Sequence, residues 1–240
     1  MTAITTGTGR TDAELAGFVR GEGLRLSFGA TPALRGASLV LPRGEITALM
    51  GPSGSGKSTL MHCLAGILRP DAGQAWLGDQ QLSALSERQR SDARLNRMGF
   101  VFQNGDLVPE LTLLENVTLP LQLTGSKSRT ARERARELLG ELGIVDEADR
   151  RAGAVSGGQA QRAAIARALV HRPDVLFADE PTGALDTSTG EQALDAITRL
   201  ARQAQITVLL VTHDNRVAAH ADRLLTMRDG RVVGPDQDPK

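Results

Sequence analysis

Short apolar runs bounded by glycine or proline alternate along this chain with longer stretches that are apolar every third or fourth residue. Glu45-Ile46-Thr47-Ala48-Leu49-Met50, between Gly44 and Gly51, has the length and composition of a buried strand. Leu60 to Leu68 comes next at helical spacing and stops before Pro70. Upstream, Phe18 to Phe28 and Ala37 to Leu41 read as extended segments separated by turns at Gly29, Pro32, Pro42 and Gly44, which predicts a small antiparallel sheet. Gly73 to Leu77 adds a strand, with Gly78-Asp79 as its turn. Ser86 to Arg97 is charged enough to be a solvated helix, and Gly99 to Phe102 is a buried strand that stops at Gln103.

The pattern changes from Asn104 to Val155. Leu113 to Leu123 and Arg129 to Leu142 are helical, the second charged along one face, with Gly125 and Gly143 closing them. This predicts a helical subdomain, about residues 104–158, inserted into an α/β core. After Ser156 come a helix (Gln159 to Leu169), a strand (Val175 to Ala178), a helix (Thr187 to Ala204), a strand (Ile206 to Val211) and a short helix (Asn215 to Ala221). Leu224 to Met227 and Arg231 to Val233 flank Asp229-Gly230, a strong hairpin signal. Alternating strands and helices argue for a largely parallel sheet. The expectation is one domain over residues 17–236 behind a disordered tail at 1–16, with no internal repeat.

Composition narrows the setting. A chain of 240 residues with Lys+Arg 28 against Asp+Glu 28 has no net charge with which to attract nucleic acid or an anionic membrane surface. One cysteine excludes an internal disulfide framework and suits a reducing compartment; Cys63 reads as a small buried apolar residue. No apolar run reaches the roughly 18 residues of a membrane span. A cytoplasmic protein is expected, with any membrane role acting through a partner.

The chemistry starts at Gly51-Pro52-Ser53-Gly54-Ser55-Gly56-Lys57-Ser58-Thr59, a complete G-x-x-x-x-G-K-[ST] phosphate loop between a strand and a helix. Its glycines bring backbone N–H groups close to phosphate oxygens at a helix N-terminus, where negative charge is favoured. Lys57 reaches the β- and γ-phosphates, and the Ser58 hydroxyl ligates Mg²⁺. Downstream, the apolar strand Val175 to Ala178 ends in Asp179-Glu180. Asp179 is placed to hold Mg²⁺ and Glu180 to polarise an attacking water, though taken alone the pair also reads as a polar turn or helix start before Pro181. Val155-Ser156-Gly157-Gly158-Gln159 puts two glycines at another helix start, either a second phosphate-type site or an ordinary cap made by Ser156.

With these motifs in this order, the chain resembles the ATP-binding cassette (ABC) family, the motor subunits of ABC transporters, from about Phe18 to Val233. The resemblance implies a phosphate-loop NTPase core of the RecA-like kind, with an N-terminal antiparallel β subdomain and an inserted α-helical one. Gln103 then resembles the Q-loop glutamine, which touches Mg²⁺ and relays to the membrane subunit. Gly183-Ala184-Leu185-Asp186 resembles the D-loop, and His213 the switch histidine that holds the γ-phosphate. Phe28 falls where the family stacks an aromatic ring on adenine. Singly, His213 reads as a satisfied histidine at a strand end, Gln103 as a capping amide and Phe28 as core. The signature opens with Val155 in place of leucine and lacks an upstream proline, and the chain has no tyrosine.

The resemblance implies two ATP molecules sandwiched in a homodimer of cassettes. Ser156, Gly157 and Gly158, with Gln159 next in line, would cover the ATP held by the partner's phosphate loop. Glu180, His213 and Lys57 become the catalytic set, and Ser58, Gln103 and Asp179 the Mg²⁺ set. An integral membrane permease is the expected partner, with the chain peripheral on the inner membrane face, docked through the Gln103 loop and roughly Asn104 to Leu123. Gly99 to Gln103, Leu111 to Val117 and Pro181 to Asp186 look like the branch of lipoprotein-release, macrolide-export and cell-division cassettes. Export or extrusion is the first reading; force transmission without transport is the alternative. A DNA-repair or chromosome ATPase would carry long coiled coils, and a translation-factor type two cassettes. A simple phosphate-loop kinase would leave Ser156 to Gln159 unexplained.

Overall fold

The computed structural model describes residues 17–103, 106–183 and 185–233. The expected tail at 1–16 lies outside the described residues, as do Asn104, Ala184 and positions 234–236. A parallel sheet forms the centre. It is built from β3 (Ile46–Met50), β6 (Met98–Val101), β7 (Val175–Asp179), β8 (Thr207–Thr212), β9 (Arg223–Arg228) and β10 (Arg231–Val233), in the order β10-β9-β3-β8-β7-β6. Only the β9-β10 hairpin pairs antiparallel. The sheet is apolar on both faces, as a covered parallel sheet must be. Ile46, Ala48, Leu176, Ala178, Val208 and Leu210 face one core, and Leu49, Val175, Phe177, Leu209 and Val211 the other.

Against the second face lies an antiparallel sheet of β1 (Val19–Phe28), β2 (Thr31–Leu41), β4 (Ala72–Leu77) and β5 (Gln80–Gln81), ordered β2-β1-β4-β5. The second strand is longer than the apolar pattern of Ala37 to Leu41 suggests, because it pairs with β1 down to Phe28–Thr31 through an outer half in which only Leu34 is buried and Pro32 and Gly36 interrupt the pattern. Helices α1 (Lys57–Leu64) and α2 (Glu87–Arg97) pack on this side. The other face is covered by α3 (Leu113–Leu123), α4 (Ser128–Glu141), α5 (Gly157–Leu169) and α6 (Thr187–Gln203), and α7 (Asn215–Ala218) comes after β8. Among the described residues no helix is long and apolar enough to cross a membrane.

In three helices an end differs by two residues or more from the one read in the sequence. Helix α1 ends at Leu64, not Leu68. Gly66 takes φ 64°, and Gly66 N–H and Ile67 N–H donate to the Cys63 and His62 carbonyls, closing the helix before Pro70 is reached. Helix α5 begins at Gly157, not Gln159, because Ser156 caps it: its hydroxyl accepts from Gln159 N–H, and the Gln159 side chain accepts from Ser156 N–H. Helix α7 stops at Ala218, three residues before Ala221.

Segment 148–152 is tied to the start of α3. Leu113 N–H and Leu114 N–H donate to the Arg150 and Ala148 carbonyls, and Ala152 N–H donates to Leu111. These bonds hold the chain just before Ser156 against the helical layer.

Cys63 is 1% exposed. Burial, with Asp71 adding to it, pushes the thiol up to about 12. We expect Cys63 to react with a disulfide reagent at pH 8 only as fast as the protein opens, and stoichiometrically once denatured in urea. Rapid labelling of the native protein would contradict this packing.

Candidate active site

The strand register places the site. Met50 pairs with Thr212, and Asp179 with Val211, so β3, β7 and β8 end in a row. The segments leaving these three strands therefore meet at the C-terminal edge of the sheet, where ligands bind in open α/β folds. The chain leaves β3 through Gly51 at φ 150°, so close to the β9-β10 hairpin that an added Cβ would lie 2.1 Å from the Met227 carbonyl oxygen. Gly230 N–H donates to Ser55 on the same side. The phosphate loop is thus braced from below by backbone.

Gly56 precedes α1 at φ 102° and offers no side-chain cap. By contrast, α2, α3, α5 and α6 carry Ser86, Thr112, Ser156 and Asp186 as capping side chains. The first N–H groups of α1 are left for a ligand, and no acidic residue stands in its first turn to repel an anion. Lys57 Nζ donates to the Gly51 and Pro52 carbonyls at 2.8 and 3.0 Å, which arches the ammonium over the loop.

A cleft of about 730 Å³ opens above it. Its lining contains Pro52, Ser53, Gly54, Gly56, Lys57, Ser58 and Thr59 from the loop, with Phe28, Gln103, Asp179, Glu180 and His213 around them. Gly51 and Ser55 do not reach the surface of the cleft; Ser55 is buried beneath it. Phe28 is 57% exposed, which removes the core reading and leaves an aromatic face at the mouth.

The two carboxylates are held differently. Burial pushes the Asp179 carboxyl up, opposed by a hydrogen bond from Ser58 and by the nearby His62. Glu180 sits at φ 46°, a conformation a non-glycine residue holds only when its surroundings fix it. Its N–H donates to the Val211 carbonyl. Its Oε2 accepts from the Thr212 hydroxyl at 3.1 Å, and its Oε1 lies 2.6 Å from His213 Nδ1. His213, directly after the end of β8, is exposed and directed at Glu180. Thr212 and His62 did not stand out in the sequence. A threonine ending a wholly buried strand, β8, was the available signal for Thr212.

Ser156, Gly157, Gly158 and Gln159 are not part of the cleft. Ser156 and Gly157 are exposed, and Gln159 is spent on the cap and on Glu147, 3.0 Å from its amide nitrogen. The two readings of this stretch are compatible. Ser156 caps its own helix, and the exposed N-terminus stands outside the cleft of this chain's own phosphate loop. Asp186 lines a neighbouring hollow of about 390 Å³ that shares Gln103, Glu180 and His213 with the cleft. Hydrogen bonds from Thr189 and Ser188 hold its carboxyl down to about 2 as it caps α6.

A model of the ABC transporter family matches residues 34–183, which include the phosphate loop, Ser156 to Gln159 and Asp179-Glu180. The chain belongs to the ABC transporter family. It is an ATPase cassette of that family, similar to proteins of the lipoprotein-release and macrolide-export branch. It is 46% identical over 210 residues to the lipoprotein-releasing system ATP-binding protein LolD 1 of Caulobacter vibrioides, spanning 87% of this chain and 90% of that one. It is 45% identical over 207 residues to the macrolide export ATP-binding/permease protein MacB of Syntrophobacter fumaroxidans, covering 85% of this chain and 29% of MacB. The dimeric structure of MJ0796, a bacterial ABC transporter cassette, superposes with a TM-score of 0.84 at 35% identity, covering 90% of this chain and 97% of that one. The same cassette in a post-hydrolysis state bound to ADP and Pi gives 0.83.

The brace beneath the ABC phosphate loop is open to test. Gly51→Ala should cost about 3 kcal/mol or more in urea unfolding, through its φ and the clash with Met227. Gly54→Ala, with nothing within 4 Å, should cost only about 1 kcal/mol for its φ of 77°. Equal losses would contradict the backbone brace.

Proposed function

We propose that this chain is the motor of an export-type ABC transporter, in which two copies close around two ATP molecules and drive an integral membrane permease. The observation that carries the reading is the division of the motifs. One chain gathers a phosphate loop, carboxylates and histidine into a single cleft, while its signature Ser156 to Gln159 lies outside that cleft. Each chain then completes the site of its partner.

In this reading the triphosphate lies along residues 51–59, with the N–H groups opening α1 and the Lys57 ammonium balancing its charge. Lys57 exchanges its carbonyl partners for phosphate oxygens. The exposed ring of Phe28 stacks on the base. The donor set fits Mg²⁺: the Ser58 hydroxyl, the Asp179 carboxylate and the Gln103 amide are oxygen ligands in one cleft, and no group of three His, Cys, Asp or Glu competes among the described residues. When bound, Mg²⁺ neutralises charge developing on the β- and γ-phosphate oxygens.

Glu180, held by Thr212 and His213, orients the attacking water and accepts its proton, while His213 holds the γ-phosphate. Ser156 and the Gly157 and Gly158 amides of the partner copy cover the same phosphate. Asp186 and Asp179 line the two adjoining hollows that share Glu180, along the edge that the partner approaches. Hydrolysis removes the ligand both copies share and lets the pair open, a two-state element biased by nucleotide.

The permease engages the surface around Gln103 and the start of the helical layer, with the helical segment about 104–158 acting as one subdomain. An apolar groove of about 460 Å³ supports this, with Phe100, Phe102 and Pro120 in its wall, Phe102 being the residue before the glutamine. The chain then lies on the cytoplasmic face of the membrane without entering it. The LolD relatives belong by name to a lipoprotein-releasing system, which favours extrusion of a lipid-anchored substrate over nucleic-acid work.

Glu180→Gln tests the assignment. It should bind ATP as the parent does, elute as an ATP-dependent dimer in gel filtration, and hydrolyse about a hundredfold more slowly or worse. Turnover at the parent rate would exclude Glu180 as the water-orienting group.

A further inference from the structure

The ladder joining β6 to β7 ends at the Val101–Ala178 pair. Beyond it the two strands lead into the residues that matter most: β6 into Phe102 and Gln103, and β7 into Asp179, Glu180 and Pro181. The β6-β7 pairing does not extend to these two exits. One side chain bridges them. Gln161, on α5 and only 3% exposed, donates from Nε2 to the Pro181 carbonyl at 2.6 Å and to the Phe102 carbonyl at 3.2 Å.

Chemistry fixes which end of the amide faces them. Both neighbours are carbonyl oxygens, so only the NH₂ group, with its two donors, satisfies both. The bond is buried, where a lost donor leaves two carbonyls without that partner. Each acceptor belongs to a residue next to a functional one: Phe102 precedes Gln103, and Pro181 comes directly after Glu180 with its φ of 46°. The donor sits on the helix that Ser156 caps.

Two close contacts continue the linkage. A Cβ on Gly183 would stand 2.8 Å from Gln103 Nε2, so the Q-loop amide rests on the turn after Glu180. A Cβ on Gly158 would stand 2.6 Å from the Thr189 methyl, so the signature turn rests on the helix that Asp186 caps.

We propose that Gln161 is a positioning residue for ATP hydrolysis: its amide ties the exits of β6 and β7 together across the end of the sheet, setting Glu180 against Gln103 and fixing both to the signature helix. The role rests on the assignment of Glu180 and Gln103 above. Gln161 lies outside the lining of the cleft, so it would not touch a nucleotide bound there. Its removal therefore acts on kcat and leaves ATP binding alone.

The experiment compares full-length Gln161→Met, which keeps length but donates nothing, and Gln161→Glu, which presents an acceptor to two acceptors. Steady-state ATPase kinetics, ATP binding by calorimetry and thermal unfolding are read on each, with Glu180→Gln alongside. We expect kcat to fall about tenfold to a hundredfold in Gln161→Met, with KM and ATP affinity within about twofold of the parent, and to fall further in Gln161→Glu. If Gln161→Met does not fold, Gln161→Asn, one methylene short of both carbonyls, is read in the same way. A folded variant with the parent kcat, or a loss confined to KM, overturns the inference. An inactive Glu180→Gln beside a fully active Gln161→Met refutes Gln161 alone; a fully active Glu180→Gln removes the site assignment, and this inference with it.

Discussion

The parallel register of β3, β8 and β7 is the constraint on which the rest depends. All three strands are buried on both faces and flanked by partners, and a one-residue slip would send each set of side chains into the core packed for the other. Their ends cannot drift relative to one another. Because Met50 lies beside Thr212 and Val211 beside Asp179, the sheet itself brings the phosphate loop, the two carboxylates and the histidine to one edge. Fine placement then falls to local bonds: backbone under Gly51, and the Thr212 and His213 contacts on Glu180.

The same constraint explains what the site lacks. The signature turn starts α5, on the face of the sheet that carries the helical layer, whereas α1 and its phosphate loop belong to the opposite face. In the reading proposed above, a chain folded this way holds two incomplete halves of an ATP site. Pairing two copies would make use of both, with the γ-phosphate at the junction. Coupling within one chain then has to pass between the two layers, and Gln161 sits where they meet, on α5 and against the exits of β6 and β7.

Much of this was legible in the sequence. The strands beside the phosphate loop and before Asp179 were visible because a doubly covered strand is an uninterrupted apolar run. The phosphate loop, Asp179-Glu180 and the Ser156 to Gln159 stretch were visible because each chemistry needs set residue types at set spacing. Other features were not. The outer half of β2 buries only Leu34 and is broken by Pro32 and Gly36, so only pairing with β1 marks it as strand. The end of α1 depends on Gly66 turning left-handed two residues past the last helical position, and spacing alone pointed on toward Pro70. Phe28 read singly as core, yet it is exposed at the mouth of the cleft. Gln161 stands two residues after the signature, but its bridging position was not legible, since its partners are backbone carbonyls far away in the chain.

If each ATP site is assembled from two copies of this chain, two differently disabled variants should restore activity when mixed. Lys57→Ala disables the phosphate loop and leaves the signature intact; Ser156→Arg does the reverse. Either variant alone contains no complete site, and both should be nearly inactive. Mixed in equal amounts with ATP, they form some pairs in which an intact phosphate loop meets an intact signature. ATPase activity should then rise well above that of either variant alone. A mixture no more active than the sum of its parts would contradict the shared site.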